Sequence, residues 1–199
     1  MKNVQPKDTS SALPALCATN CVHRSSAYAV IYVFTDQEYS TYRTELMNVI
    51  VDIILHRAKK FRFNIKSLFT LYLWFVRTGL EYAAPVWHSS LTQDQSNRLE
   101  RVQKRCFRII LGGEYTSYGD ALTRLKCTSL QERRKMLSLR FGKSLLKSQF
   151  HRDLLPPTVG QVHGRNTRHR QRLQPIRCTK EFYRKSTIPY IVSLLNHEL

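Results

Sequence analysis

Residues 92–113 carry the strongest folding signal in the chain, a helix with one apolar face and one basic face. Thr92 is a natural N-cap, and Gln95 follows at the spacing of a capping box, in which two unpaired backbone amides are satisfied reciprocally. Glycine at positions 112 and 113 then stops the helix, because glycine adopts left-handed backbone without steric cost. The apolar residues that share one helical face are Leu99, Val102, Cys106, Ile109 and Ile110.

Apolar residues at helical spacing predict further helices over 41–60, 65–79, 117–125 and 129–147. The last of these opens with a second capping-box pattern, from Ser129 to Glu132. A short turn joins the helices over 65–79 and 92–111, so we expect these two to lie side by side. The expected fold is therefore mainly α, a small helical bundle.

Both ends of the chain lack this periodicity. Residues 1–40 predict a poorly structured leader, which precedes a helical domain over 41–150. Within the leader, residues 27–34 are apolar and β-branched, which leaves a short strand and the start of a buried helix as alternatives. Residues 151–199 predict a basic, largely irregular tail, because prolines and glycines break it, with a short terminal helix interrupted at Pro189.

Charge is the outlying feature of the composition. The chain holds 32 Lys and Arg against 14 Asp and Glu, a formal net charge of +18, and its isoelectric point lies near 10.1. Residues 91–199 carry 22 of the basic and only 8 of the acidic residues. Such an excess attracts polyanions. Nucleic acid is therefore the first candidate partner, and an anionic membrane surface is the second.

The basic face of the 92–111 helix is the first candidate binding site. Its arginines repeat at steps of three, four and three, so they share a face that extends about 15 Å along the helix axis. Guanidinium groups engage phosphate oxygens in pairs, which a lysine ammonium does not. A merely solvated helix face is the alternative, although Glu100 is the only acid among residues 95–113. We call this set the cationic row; its members are Arg98, Arg101, Lys104, Arg105 and Arg108.

A second basic segment, residues 163–172, contains no acid and is named here the basic arm. A flexible arm of this kind can fold onto a nucleic-acid backbone. Phosphate contacts carry no base information directly, so such binding would be independent of sequence. A nuclear localisation signal and a soluble tail are the alternatives. The arginines that we expect to contact phosphate are Arg165, Arg168, Arg170 and Arg172.

An aromatic-rich turn over 80–91 leads into the row, and together they resemble a known family. The stretch from Leu68 to Ile110 is similar to the region just after the polymerase core in reverse transcriptases of non-LTR (LINE-type) retrotransposons. Two later segments, 129–134 and 185–196, resemble the next helix start and the ending of that region, so the similarity covers 56–199. The matching groups are Val76-Arg77, Leu80-Glu81-Tyr82-Ala83, Pro85-Val86-Trp87-His88, Ser90-Leu91-Thr92, Gln95, Leu99-Glu100, Val102-Gln103-Lys104-Arg105, Arg108-Ile109-Ile110 and Gly112.

The resemblance implies a post-palm, thumb- or connection-like region without its polymerase. A reverse transcriptase requires carboxylates that hold two metal ions over the primer end, and in that family the key pair is an adjacent Asp-Asp. Here every aspartate is isolated, and the 67 residues before Leu68 are too few for palm and fingers. We therefore expect no enzymatic activity and carry over no catalytic residue. The aspartates are Asp8, Asp36, Asp52, Asp94, Asp120 and Asp153.

The expected function is non-catalytic, sequence-independent binding of an RNA or DNA backbone by a remnant of a retrotransposon reverse transcriptase. No cofactor, metal or small-molecule substrate is expected. One alternative is a structural or protein-interaction module that docks on a separate reverse transcriptase core. The other is a decayed element fragment with no function.

The cysteines favour an intracellular protein, with nucleus and cytoplasm both open. The five cysteines form no even set, and Cys106 lies on an apolar helical face, as a reduced thiol would. A polar stretch follows Met1, which predicts no secretory signal. The apolar runs are shorter than the about 20 residues of a membrane span, so no membrane partner is expected. Cys17, Cys21 and His23 lie close together but lack the fourth ligand of a structural zinc site.

Overall fold

The computed structural model describes residues 36–163 and 168–198, with side chains over 41–162 and 168–198. The apolar segment 27–34 lies outside the described residues. The prediction of a mainly α fold is confirmed, since the described residues form helices and one isolated bridge between Thr158 and Leu173. In chain order the α-helices are α1 (Asp36–Ile50), α2 (Arg57–Lys60), α3 (Ile65–Leu71), α4 (Thr78–Glu81), α5 (Ala84–Trp87), α6 (Gln93–Leu111), α7 (Tyr118–Arg124), α8 (Leu130–Lys147), α9 (Val159–His163), α10 (Glu181–Arg184) and α11 (Thr187–Glu198).

Wider helical turns join the first four helices into two continuous rods. The π-helical turn Val51–His56 connects α1 to α2, and the π-helical turn Tyr72–Arg77 connects α3 to α4. Residues four apart overshoot one α-helical turn by about 40°, and a π turn corrects that drift. The buried residues accordingly recur every four positions: Met47, Val51 and Leu55 in one rod, and Leu68, Tyr72, Val76 and Leu80 in the other.

This four-residue stripe corrects the prediction for the 65–79 helix. The rod continues past Gly79 to Glu81, because Gly79 packs against Met47 of α1 rather than ending the helix. Phe75, which the α-helical period places on the buried face, is instead 48% exposed. The π turn rotates it off the core side.

Helix α6 runs through the centre of the larger core. The predicted capping box is present, since the Gln95 amide donates to Thr92 Oγ1 at 3.3 Å and the Thr92 amide donates to Gln95 Oε1 at 2.7 Å. Gly112 has the expected positive φ of +57°, although its ψ of −123° lies outside the left-handed helical region. The buried face is centred on Leu99, Val102, Gln103, Cys106, Phe107 and Ile110.

The turn between the two predicted neighbours is folded around a buried tryptophan. Ala83 takes a positive φ of +53°, and Pro85 then sits in the first turn of α5, where its missing amide leaves no bond unmade. The Trp87 indole Nε1 donates to the Tyr82 carbonyl at 2.9 Å, and Trp87 is 6% exposed. The Tyr82 ring is 71% exposed and contributes little to this packing.

Helix α11 packs against α8, and together with the segment before it forms a second core. The buried residues of this core are Leu145, Leu155, Leu173, Ile191, Val192 and Leu195. Gly142 of α8 permits the close approach, because a Cβ there would lie 2.6 Å from Ile191 Cγ2. Pro189 does not interrupt this terminal helix but lies in its first turn, where backbone amides have no intrahelical partner. The sequence predicted a less regular tail. The contacts that order the tail are made with α8, which is distant in sequence, so no local pattern indicates them.

Candidate nucleic-acid interface

Helix α6 positions the cationic row on the side opposite its core face. The side chains of Arg98, Arg101 and Arg105 are 47%, 66% and 41% exposed, and Arg108 is also exposed. The core contacts of Leu99, Val102 and Cys106 fix the orientation of the helix and hence the outward direction of the row. The five cations therefore share one solvent-facing surface.

An acid at the start of α6 pairs with two members of the row. Arg98 Nε lies 2.8 Å from Asp94 Oδ2, and Arg101 NH2 lies 3.4 Å from Asp94 Oδ1. Asp94 is itself 59% exposed, and ion pairs at such sites contribute only about 0–1 kcal/mol. A phosphate that arrives from solvent can therefore replace the carboxylate at little cost.

A second acid reaches the row from the first rod. Arg105 NH2 lies 2.5 Å from Asp52 Oδ1, and Arg105 NH1 donates to Asn48 Oδ1 at 3.3 Å. Asp52 is 51% exposed, so this pair also remains open to competition from solvent. The count of acids over residues 95–113 did not include Asp52, because it lies on another element and 53 residues away. The partial neutralisation of Arg105 was therefore not predicted.

The row's remaining cations lie over tyrosine rings. Lys104 Nζ is 5.0 Å from the ring centre of Tyr118, and the Arg108 guanidinium carbon is 5.6 Å from that of Tyr115. Contacts of this kind contribute about 0.5–1 kcal/mol at exposed sites. They hold the two side chains in place while their N–H groups stay available to an acceptor.

Glu100, the only acid within the row's span, is directed elsewhere. It accepts a hydrogen bond from the Tyr118 hydroxyl and another from the Leu130 amide at 3.1 Å. Burial, followed by the bond to this carboxylate, raises the pKa of Tyr118 above its usual range. Glu100 thus caps α8 and leaves the row's charge uncompensated from that side.

Lys59 joins the end of the row, although the sequence did not identify it as a site residue. Its Nζ donates to the Ile110 carbonyl at 3.1 Å, and it lies beside Gly112. A cation at a helix C-terminus is favoured by the unpaired carbonyls there. The sequence shows that the end of α6 would favour a cation, but it does not show which one. Lys59 lies 51 residues away from Ile110 in the chain.

Backbone hydrogen bonds hold the described end of the basic arm, residues 168–172, against the start of α9. The Val159 amide donates to the Arg172 carbonyl at 2.8 Å, and the Gly160 amide donates to the Arg170 carbonyl at 3.0 Å. A Cβ at Gly160 would collide with the Arg170 side chain, so glycine is needed for this approach. Arg168 and Arg170 are exposed and Arg172 is half-buried, while Arg165 lies outside the described residues.

The described residues offer neither a reactive thiol at Cys106 nor a metal site. Burial raises the pKa of the Cys106 thiol to about 12, which keeps it neutral and unreactive. Over residues 36–163 and 168–198, no three His, Cys, Asp or Glu side chains come together as metal ligands would. The Cys17, Cys21 and His23 group lies outside that part of the chain.

Comparison with known proteins gave no match. No protein-family model, curated protein or solved structure was significantly similar to this chain. Within the described residues, no helix is both long enough and apolar enough to cross a membrane.

The two cationic surfaces are therefore carried by different elements of one fold. Helix α8 contacts α6 near its start, through Arg134 and Ser96, and α11 further along, through Gly142 and Ile191. The row belongs to α6 and the arm is tied to α11.

Proposed function

We propose that this chain binds the backbone of a nucleic acid without catalysis, as a remnant of the post-palm region of a non-LTR reverse transcriptase. The observation that carries the proposal is the exposure of the cationic row on α6, where only weak surface pairs compete with phosphate. The basic arm adds a second, sequence-independent contact. Such a role is exercised inside the cell, in the nucleus or the cytoplasm.

The free energy of binding favours replacement of the carboxylates that pair with the row, those of Asp94 and Asp52, by phosphates. Each surface pair contributes about 0–1 kcal/mol, whereas an arginine–phosphate bond is charge-assisted and frequently bidentate. Binding also releases the counterions condensed on the nucleic acid, which adds to the gain at low salt. Neither Asp94 nor Asp52 is buried, so neither is left desolvated when its arginine turns to the ligand.

Titration of a labelled single-stranded oligonucleotide with a 5′-hydroxyl end tests this proposal. The double variant Arg101→Gln/Arg108→Gln should weaken binding by about tenfold or more, if each lost contact contributes about 1 kcal/mol. The control double variant Arg140→Gln/Lys147→Gln removes two exposed charges from α8 and should change the affinity far less. Equal loss in both variants would mean that net charge, and not the row, determines binding.

A different surface favours the alternative of a protein-interaction module. Tyr42, Leu46, Val49 and Ile53 follow one another at steps of four, three and four along the first rod, and each is 41–64% exposed. An apolar stripe of this kind is typical of a surface that another protein covers. Capture of a reverse transcriptase core that survives nuclease treatment and is lost with Val49→Glu would favour this alternative.

A further inference from the structure

A cleft of about 820 Å³ lies between the 169–178 segment and α11, away from the cationic row. Its volume falls within the range of about 300–1,000 Å³ that small-molecule sites occupy. Its lining combines apolar side chains, among them Ile176 and Val192, with nitrogen-bearing side chains. This combination suits a ligand that has both a flat apolar part and an anionic part.

The lining includes an aromatic ring at a fixed position. Tyr190 lines the cleft, and its ring packs edge-on against His88 with centroids 5.6 Å apart. The first turn of α11 is also tied down, since Thr187 Oγ1 donates to the Val86 carbonyl at 2.9 Å. A nucleobase can stack on a tyrosine held in this way.

The polar part of the lining is basic. Arg172, Arg184, His169 and His197 line it, and no Asp or Glu does so in the described part of the chain. Arg184 is paired with Glu181, just outside the cleft. No acid among the described residues lies at ion-pair distance from Arg172, so its guanidinium is available to a phosphate. Each imidazole adds a ring N–H donor.

We propose that this cleft binds a nucleotide through its terminal phosphate monoester, with phosphate at Arg172 and base against Tyr190. The ligand is either a free mononucleotide or the 5′-phosphorylated end of a strand, which present the same chemistry. The site does not depend on the cationic row, since the two are carried by different helices. Failure of the row to bind phosphate therefore leaves this site untouched, although Arg172 also belongs to the basic arm.

The thiol of Cys178 provides a local probe. It lies in the wall of the cleft, it is free, and it is half-buried, whereas Cys106 is fully buried in the larger core. Its alkylation rate can be followed by peptide mass spectrometry, which separates it from every other cysteine of the chain. At a ligand concentration about ten times the dissociation constant, occupancy of the cleft should slow this rate about tenfold.

The experiment compares adenosine monophosphate, adenosine, inorganic phosphate and a 5′-phosphorylated pentanucleotide. We expect adenosine monophosphate to protect Cys178, and adenosine and phosphate alone to protect it far less. Protection by the pentanucleotide as well identifies the strand end as a source, and its failure identifies the free mononucleotide. Absence of protection by both phosphorylated probes, or equal protection by adenosine or by phosphate, would overturn the proposal.

Two matched variants assign the effect to the guanidinium. Arg172→Gln should abolish protection without opening the arm, because the arm is closed by the Arg172 backbone carbonyl and not by its side chain. Arg177→Gln removes a neighbouring charge that does not line the cleft and should leave the ratio of protected to free rates unchanged. Equal ratios in wild type and Arg172→Gln would contradict the assignment.

Discussion

The side-chain amide of Asn196 pairs with both backbone polar groups of Leu173. Asn196 Oδ1 accepts from the Leu173 amide at 2.8 Å, and Asn196 Nδ2 donates to the Leu173 carbonyl at 2.9 Å. Leu173 is 1% exposed and belongs to the second core. One side chain of α11 thereby replaces a strand partner and fixes the base of the basic arm.

Removal of this amide should loosen the arm. Asn196→Ala leaves two backbone groups without partners, each of which costs about 1–3 kcal/mol where it stays buried. We expect faster tryptic cleavage after Arg168, Arg170 and Arg172, measured by mass spectrometry under native conditions. Asn196→Asp, which keeps the acceptor, should show a smaller effect. Asn97→Ala, an exposed site on α6, should leave cleavage unchanged, and unchanged cleavage in Asn196→Ala would refute this role.

The approach of α8 to α11 depends on Gly142. A methyl group there would lie 2.6 Å from Ile191 Cγ2 and 3.3 Å from Leu195 Cδ1, so one helix must move. Gly142→Ala should lower the free energy of unfolding by about 1–3 kcal/mol, as overpacking does. Urea denaturation is the measurement. Gly119→Ala in α7 meets no atom within 4 Å and should be neutral or stabilising, and a stabilised Gly142→Ala would contradict the packing.

Arg134 is buried with most of its hydrogen-bonding capacity unused. It is 0% exposed and donates one bond, from NH2 to Ser96 Oγ at 2.8 Å, while Nε and NH1 have no partner. Its guanidinium lies 5.8 Å from the Trp87 ring. Burial lowers its pKa from the ordinary value, as expected for a desolvated cation.

Replacement of Arg134 by methionine should therefore not destabilise the protein. We expect Arg134→Met to raise the free energy of unfolding by about 1–3 kcal/mol, because two unsatisfied donors are removed. Arg133→Met, which breaks a half-buried pair with Glu81 at 3.2 Å, should instead lower it. A loss in Arg134→Met larger than that in Arg133→Met would show that the guanidinium is satisfied after all.

His88 should make stability depend on pH. Burial, and then the positive charges of Arg134 and Lys135, lower its pKa from 6.5 to about 4. Above the unfolded-state value both states are neutral and this group has no effect. As pH falls from about 6.5 to 4, the unfolded chain binds the proton first, so stability decreases, and below the folded value the loss is complete. His88→Phe keeps the ring beside Tyr190 and should reduce the difference in unfolding free energy between pH 7 and pH 4.5; an unchanged difference would exclude His88 as its source.

The parts of the fold that local chemistry determines were predictable. Thr92 and Gln95 fix the start of α6 through a complete capping box, whereas at the start of α8 only half of the predicted box forms: Ser129 Oγ accepts from the Glu132 amide, and the Glu132 carboxylate accepts from Ser129 Oγ instead of from the Ser129 amide. The outward direction of the cationic row also follows from the spacing of the apolar residues. These features depend on no distant partner.

The parts that distant contacts determine were not predictable. The pairing of Arg105 with Asp52 and of Asn196 with Leu173 joins residues far apart in sequence and leaves no periodic sign. The π turns replaced the α-helical period in both rods, which moved Phe75 to the surface. Arg134 was overlooked for a similar reason, since a charged residue on the buried stripe of α8 contradicts the usual pattern.

Salt dependence of nucleic-acid binding tests the central claim most directly. The dissociation constant for a 5′-hydroxyl oligonucleotide is measured from low to moderate salt for the wild type and for Arg101→Gln/Arg108→Gln. The claim predicts affinity that falls steeply with salt, and a slope reduced in the variant by about 0.7–1 for each arginine removed. Affinity that stays level with salt, or parallel slopes for the two proteins, would contradict the cationic row as a phosphate-binding surface.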